Sequence, residues 1–363
     1  MAYDVYGLGN ALVDMEYQIP DAFLSTYAIR KGHMTLVDEA RQAELIGNLA
    51  DRVVDRSSGG SAANTLISIS HLGADTFYSC RVAGDELGRY FIHDLNRAGI
   101  ATNPHDDAAE GVTGKCLVMV TPDAERTMNT FLGVSEALSV TDLNEEALTA
   151  SRYLYIEGYL ASSPSGRAAA IHARSLAEQA GVTTTITLSD PTMVEIFREG
   201  LKEMLGDGVG HLFCNEEEAL QWCQTDRIDI ALNELKDVAR RVNITLGARG
   251  SLAFNGHSAH QVAGFHVTPV DTNGAGDIYA GACLWALLHG HELTAAARFG
   301  NYADAAHDLS RVRIRTSDAT PARRNRCRGN EGSGPPPALS GARRSARSPG
   351  ASRSALVPAA RPS

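Results

Sequence analysis

A chain of 363 residues that is 44% hydrophobic has enough apolar surface for the core of one large α/β domain, and its composition does not force a second. No apolar run approaches about 18 residues and no charged-then-apolar leader opens the chain; this argues against a membrane span or export and makes the cytoplasm the expected compartment. Twelve of the 33 Lys and Arg residues but only two of the 43 acids follow Ser310, so the net charge of −10 conceals an acidic body, for which nucleic acid is not an expected partner.

In chain order, residues 3–9 read as an opening strand running into Gly7-Leu8-Gly9-Asn10-Ala11-Leu12-Val13-Asp14. This resembles the start of a dinucleotide fingerprint, but Leu12 stands where the third glycine belongs, so the dehydrogenase reading is disfavoured. Asp14 reads either as a surface turn residue or as a strand-end partner for ligand hydroxyls. Residues 38–54 carry apolar positions at helical spacing. The loop Ser57-Ser58-Gly59-Gly60-Ser61-Ala62-Ala63-Asn64 then leads into a helix, its paired glycines suiting either a flexible connection or a close approach of backbone to ligand.

Strands near 76–83 and 116–121 bracket a helix at 85–98, with 101–114 and 122–128 as turns between short strands. Beyond residue 150 the alternation is plainly βα: strands at 153–156, 183–188, 211–214 and 243–246, with helices at 165–180, 194–204, 216–223 and 231–241. Strands separated by helices imply a mainly parallel sheet covered on both faces, with ligands beyond the strands' carboxyl ends. Asp190-Pro191, Asn215 to Glu218 and Thr245 to Gly250 fall there. So does Asp271-Thr272-Asn273-Gly274-Ala275-Gly276-Asp277, a glycine turn that opens a helix. The free N–H groups and positive dipole end of a first helical turn suit an anion, while Asp277 reads either as a helix cap or as a group facing that anion. The six scattered cysteines, without a C-x-x-C pair or zinc spacing, read as reduced structural thiols.

Taken together, these residues resemble the PfkB, or ribokinase-like, family of carbohydrate and nucleoside kinases. Asp271 to Asp277 is similar to its D-T-x-G-A-G-D signature, Gly59 to Asn64 to its first signature, Asn215 to Glu218 to its N-x-x-E motif, and Thr245-x-Gly247-x-x-Gly250 to its nucleotide-side turn. The resemblance implies a ribokinase-like α/β fold, a mainly parallel central sheet flanked by helices on both faces with a small β-strand lid. The kinase domain would span residues 1–310 and the lid segments roughly 14–37 and 101–131.

It also implies roles: Asp277 as catalytic base; the N–H groups of Gly274, Ala275 and Gly276 as an anion hole; Asn10, Asp14, Gly60 and Asn64 on acceptor hydroxyls; Arg126 as a lid arginine reaching the phosphates. Asn215, Glu218, Thr245, Gly247, Gly250 and Asn301 would serve ATP. Glu218, Asn215 and Asp190 would hold Mg2+ largely through water, and Asp271 and Thr272 would contribute to a monovalent-cation site for which K+ is the candidate. The implied partners are a small-molecule acceptor and ATP, with no membrane and with monomer and homodimer both open.

Local stretches such as Leu188-Ser189-Asp190-Pro191 and Glu125-Arg126-Thr127-Met128 are more similar to the adenosine kinase branch, which makes a nucleoside 5′ hydroxyl the first-choice acceptor. A free sugar (ribose, fructose or a keto-deoxy acid) is the runner-up, and a nucleotide- or sugar-binding relic without turnover is the reading from another class. The chain departs from the family after about residue 306. Residues 311–363, with twelve arginines, no lysine and seven of the thirteen prolines, read as disordered, and as the product of a shifted reading frame in preference to an evolved basic tail for nucleic acid or an acidic surface.

Overall fold

The structure is a computed structural model that describes residues 2–49, 53–104, 109–123, 125–267 and 274–310. The expected tail at 311–363 therefore lies outside the described residues, as do Asp271 and Thr272. Strands are numbered in chain order: β1 Val5–Leu8, β2 Leu12–Gln18, β3 Met34–Leu36, β4 Val53–Gly59, β5 Thr76–Ser79, β6 Ile100–Thr102, β7 Thr113–Val120 and β8 Arg126–Gly133. They continue with β9 Tyr153–Glu157, β10 Thr183–Thr187, β11 His211–Asn215, β12 Val242–Thr245, β13 Ser251–Phe254 and β14 Ala259–Val262.

The large sheet has the order β14-β13-β12-β11-β10-β9-β1-β5-β6. From β6 to β12 every neighbouring pair is parallel, and β13 and β14 extend the sheet as antiparallel strands. Side chains alternate between two cores, as a sheet covered on both faces requires. Tyr6, Leu8, Leu154, Ile156 and Leu212 point into one core with helices Pro164–Ala180 and Glu216–Cys223. Val5, Tyr153, Tyr155 and Phe213 point into the other with helices Ser61–His71 and Ala275–Leu288.

The second sheet, in the order β3-β8-β7-β2-β4, is the lid. Its odd-numbered residues Met15, Tyr17, Leu117 and Met119 bury themselves with Phe23, Leu24, Leu45 and Leu49 of helices Asp21–Thr26 and Glu39–Leu49. Its even-numbered residues are thereby turned the other way.

Local reading and structure differ at several places, among them Arg126 to Met128, expected in a turn but part of β8. The helix expected over 38–54 stops at Leu49 and is followed by β4, so that Ser57 to Gly59 end a strand rather than form a loop. β-Branched Val53 and Val54 favour extended backbone, and β2 offers them a pairing edge that no local pattern announces. The helix expected over 194–204 is two, Pro191–Ile196 and Arg198–Leu205, separated at Phe197. The helix expected over 231–241 runs instead over Ile228–Leu235. No helix among the described residues is long and apolar enough to cross a membrane.

Candidate active site

The carboxyl ends of β1, β9, β10, β11 and β12, the first turn of helix Ala275–Leu288 and the even-numbered face of the lid enclose a cavity of about 650 Å³. Of the residues singled out from sequence, Asn10, Asp14, Gly60, Asn64, Asp190, Asn215, Glu218, Thr245, Gly247, Gly274, Ala275, Gly276 and Asp277 all line it. These residues come from six separate stretches of chain, and the parallel sheet brings them together because its strand ends share one edge.

Asp277 sits in the first turn of its helix, behind Gly274, which takes a left-handed conformation (φ 76°, ψ 5°) that favours glycine. The Asp277 carboxylate accepts hydrogen bonds from Ser61 Oγ at 2.6 Å and Asn64 Nδ2 at 3.0 Å, tying the two glycine motifs across 213 residues or more of sequence. Burial pushes its pKa up to about 6, against the pull of those two donors. A carboxylate so placed is a base of moderate strength beside the free N–H groups of a helix start.

Glu157, which sequence reading missed, closes β9 with no exposed surface. Its Oε1 accepts from Asn10 N at 2.6 Å and its Oε2 from Ala62 N at 2.9 Å, so one carboxylate clamps the Asn10 loop to the start of helix Ser61–His71. Burial, with a further contribution from Asp277, raises its pKa to about 7 in spite of these bonds. The sequence signal was faint: an acid ending an otherwise apolar strand, followed by glycine.

The glycines make room for this clamp. A Cβ at Gly9 would stand 2.4 Å from Glu157 Oε2, and one at Gly60, where φ is +97°, would stand 2.3 Å from the Asn10 carbonyl oxygen. Gly9 therefore accommodates a buried carboxylate rather than cradling a dinucleotide. A Cβ at Gly59 would meet Asp14 Oδ1 at 2.2 Å. Gly59→Ala is thus expected to displace the Asp14 carboxylate and raise the acceptor KM about tenfold or more, the worth of one hydrogen bond to a charged group. Steady-state kinetics at saturating ATP check this, and an unchanged KM would remove Asp14 from acceptor binding.

On the opposite wall, Asn215 and Glu218 form a capping box at helix Glu216–Cys223: Glu218 N donates to Asn215 Oδ1 at 2.8 Å, and Asn215 N to Glu218 Oε2 at 3.1 Å. The motif therefore has a structural use, yet Glu218 still faces the cavity. Burial first, then Asp190, Glu217 and Asp277, pushes its pKa up to about 8. Asp190 caps helix Pro191–Ile196 by accepting from Thr192 N at 2.7 Å. Beside it Ser189 holds φ +74°, a strained value for a residue with a side chain, and accepts from Gly158 N at 2.8 Å. This wall concentrates carboxylates that repel one another, an environment that favours a cation. Among the described residues no three His, Cys, Asp or Glu side chains cluster closely enough to hold a metal alone. The donor set thus fits Mg2+ that keeps its waters and takes other ligands from phosphates, and does not fit an all-protein cage.

Three residues singled out from sequence stand outside the cavity lining. Arg126 pairs with Glu16 at 3.4 Å on the lid. Gly250 and Asn301 meet each other's neighbours instead: a Cβ at Gly250 would lie 2.1 Å from Val262 O, and Asn301 Nδ2 donates to Val262 O and Ala263 O at 3.2 Å each. The five described cysteines are buried free thiols, as expected, and two of them, Cys116 and Cys214, line the cavity.

Comparison with known proteins agrees with this geometry. The model of the pfkB family carbohydrate kinases matches residues 35–307. The chain is similar to the crystal structure of an adenosine kinase from Sinorhizobium meliloti, with 34% identity and a TM-score of 0.79 over 84% of this chain and 93% of that one. It is equally similar in fold to a protein from Rhizobium etli CFN 42 described as a probable sugar kinase, with 31% identity, a TM-score of 0.79 and the same coverage of both chains. An adenosine kinase of Saccharomyces cerevisiae is 26% identical over 320 residues, covering 81% of this chain and 92% of that protein. With its mostly parallel sheet, its β lid and its family match across most of its length, the chain belongs to the PfkB family and is an ATP-dependent kinase of the ribokinase-like fold.

Proposed function

We propose that the protein transfers the terminal phosphoryl group of ATP to the 5′ hydroxyl of an adenosine-like nucleoside, acting in the cytoplasm. The observation that carries this reading is the inner face of the lid. Strand register puts Asp14, Cys116, Thr130 and Leu36 in one row across β2, β7, β8 and β3, with Met34 and Met128 in the row on one side and Leu12 and Leu132 on the other. A carboxylate suited to ribose hydroxyls thus adjoins an apolar surface of Leu12, Met34, Leu36, Met128 and Leu132. A nucleobase covers such a surface, and a free sugar leaves it bare.

In this reading Asp14 and Asn10 hold the ribose, and Asp277 takes the proton of the attacking hydroxyl. The N–H groups of Gly274, Ala275 and Gly276 offset charge on the transferring group as the oxygen attacks. Asn215, Glu218 and Asp190 would hold Mg2+ through water, and the ion would supply charge neutralisation to the phosphate oxygens. Thr245 and Gly247 lie along the nucleotide.

The test is ADP formation from MgATP with adenosine, inosine, guanosine, cytidine, ribose and fructose as acceptors, repeated with Met128→Asp. Nucleosides are expected to exceed free sugars in kcat/KM by about tenfold or more. Met128→Asp should lower nucleoside turnover about 10- to 100-fold, the worth of one apolar contact surface, with little effect on sugars. A preference for ribose or fructose would overturn the nucleoside reading in favour of a sugar kinase, and no turnover with any acceptor would favour a binding relic.

A further inference from the structure

Helix Ala275–Leu288 carries the anion-binding turn and Asp277, yet most of its surface is smooth. Tyr279, Ala280, Gly281, Ala282, Cys283, Leu284, Ala286 and Leu288 are all buried. Its neighbours approach through glycines: a Cβ at Gly281 would lie 2.8 Å from Thr65 O, and one at Gly300 would lie 2.7 Å from the Tyr279 ring. These close approaches restrict the helix, but a surface that is apolar all round and studded with small residues packs with little directional preference elsewhere. Directional bonds fix its seat further.

Among the described residues, the side chains of this helix that hydrogen-bond to other elements are those of Asp277 and Tyr279. The Asp277 carboxylate faces the acceptor, so its bonds to Ser61 and Asn64 share it with the chemistry. Tyr279 also borders the cavity, but its hydroxyl is engaged by the sheet. Its hydroxyl accepts from Asn243 Nδ2 at 2.6 Å, and Asn243 Oδ1 lies 2.7 Å from His211 Nε2. Since the Asn243 amide nitrogen is committed to tyrosine, its oxygen must accept, so His211 Nε2 carries the proton. Burial lowers the His211 pKa to about 4, which keeps the ring neutral and in that role. His211 and Asn243 are fully buried, and His211 stacks on Phe213 with ring centroids 4.3 Å apart. Two polar side chains buried at the starts of parallel strands are costly unless they are bonded, and reaching the helix satisfies Asn243 and His211 Nε2, while His211 Nδ1 has no partner.

We propose that the His211–Asn243–Tyr279 chain is a positioning device: it fixes the rotation and axial seat of helix Ala275–Leu288 on β11 and β12, and so aims Asp277 and the anion-binding turn. The proposal rests on the roles given to Asp277 and Gly274 to Gly276 above. His211 and Asn243 act through Tyr279 and touch no substrate.

The experiment compares Tyr279→Phe with a triple variant, His211→Leu/Asn243→Val/Tyr279→Phe, in which all three members of the chain are apolar. Tyr279→Phe is expected to lower kcat about 10- to 100-fold, the effect of a displacement near 1 Å, with acceptor and ATP KM changed less than about threefold. The triple variant should regain most of the melting temperature lost in Tyr279→Phe, because removing both partners of a buried bond costs less than orphaning one, while kcat stays low. Amide hydrogen exchange over residues 274–280 should be faster in both variants. A kcat that recovers with melting temperature, or unchanged kcat and exchange in a folded Tyr279→Phe protein, overturns the positioning role. Asp277→Asn in the same series judges the site separately: if it retains turnover, the assigned base is wrong, and amide exchange still decides whether the chain seats the helix.

Discussion

Asp277→Asn is expected to lower kcat about 10³-fold, within the usual worth of a positioned general base, while leaving ATP affinity and the fold in place. The substitution keeps the size of the side chain and a carbonyl oxygen that can accept from Ser61 Oγ or Asn64 Nδ2, so the glycine motifs remain joined. Its amide cannot take the acceptor proton. A pH profile sharpens the expectation. The base works only when ionised, and burial raises its pKa from 3.8 to about 6, so kcat/KM in the unmodified enzyme should fall as pH drops through about 6 rather than through about 4. Ser61→Ala removes a donor that favours the ionised form and should move that limb to higher pH. A limb that stays near pH 4, or a residual rate in Asp277→Asn within tenfold of the unmodified enzyme, would assign the base elsewhere.

Glu157→Leu is expected to combine a loss of activity of about 100-fold with an unusual dependence of stability on pH. Two buried N–H groups, on Asn10 and Ala62, lose their acceptors at a cost of about 1–3 kcal/mol each, and the elements bearing Asn10, Ser61 and Asn64 are freed from one another. The carboxylate itself is protonated more readily folded than unfolded, with its pKa raised from 4.5 to about 7. Its contribution to stability is therefore fully present below about pH 4.5 and is lost as pH rises through 7. The destabilisation caused by Glu157→Leu should accordingly be larger at pH 5 than at pH 8, by at most about 3 kcal/mol. Urea unfolding of both proteins at the two pH values measures the difference. An equal loss at each pH would show that Glu157 is ionised in the fold at no cost.

These two carboxylates differ sharply in how visible they were. Asp277 closes a run of seven residues whose glycines, helix start and acid lie side by side in sequence, so local chemistry announces it. Glu157 stands 147 residues from Asn10 and 95 from Ala62, the groups that give it meaning. The same distance obscured Gly9, for which the local pattern offers only a disfavoured dinucleotide fingerprint and which the fold sets against the Glu157 carboxylate. The Asn215 to Glu218 motif was legible at the sheet edge, and the structure adds that it is also a capping box.

By itself the sequence determined the βα alternation and the parallel sheet it entails, and it singled out the strand-end edge and Asp277 as candidates, because each is written in periodicity or in a few adjacent residues. Tertiary structure decided which side chains share that site and how it is held. Whether Met34, Met128 and Leu132 share a face with Asp14 depends on the register of strands brought together from over a hundred residues of chain, and a slip of one residue would turn every one of them away. The seat of the Asp277 helix likewise depends on Tyr279 reaching Asn243 across 36 residues, a bond that forms only when sheet and helix are already packed. Local patterns encode which elements form, and non-local pairing decides which side chains meet.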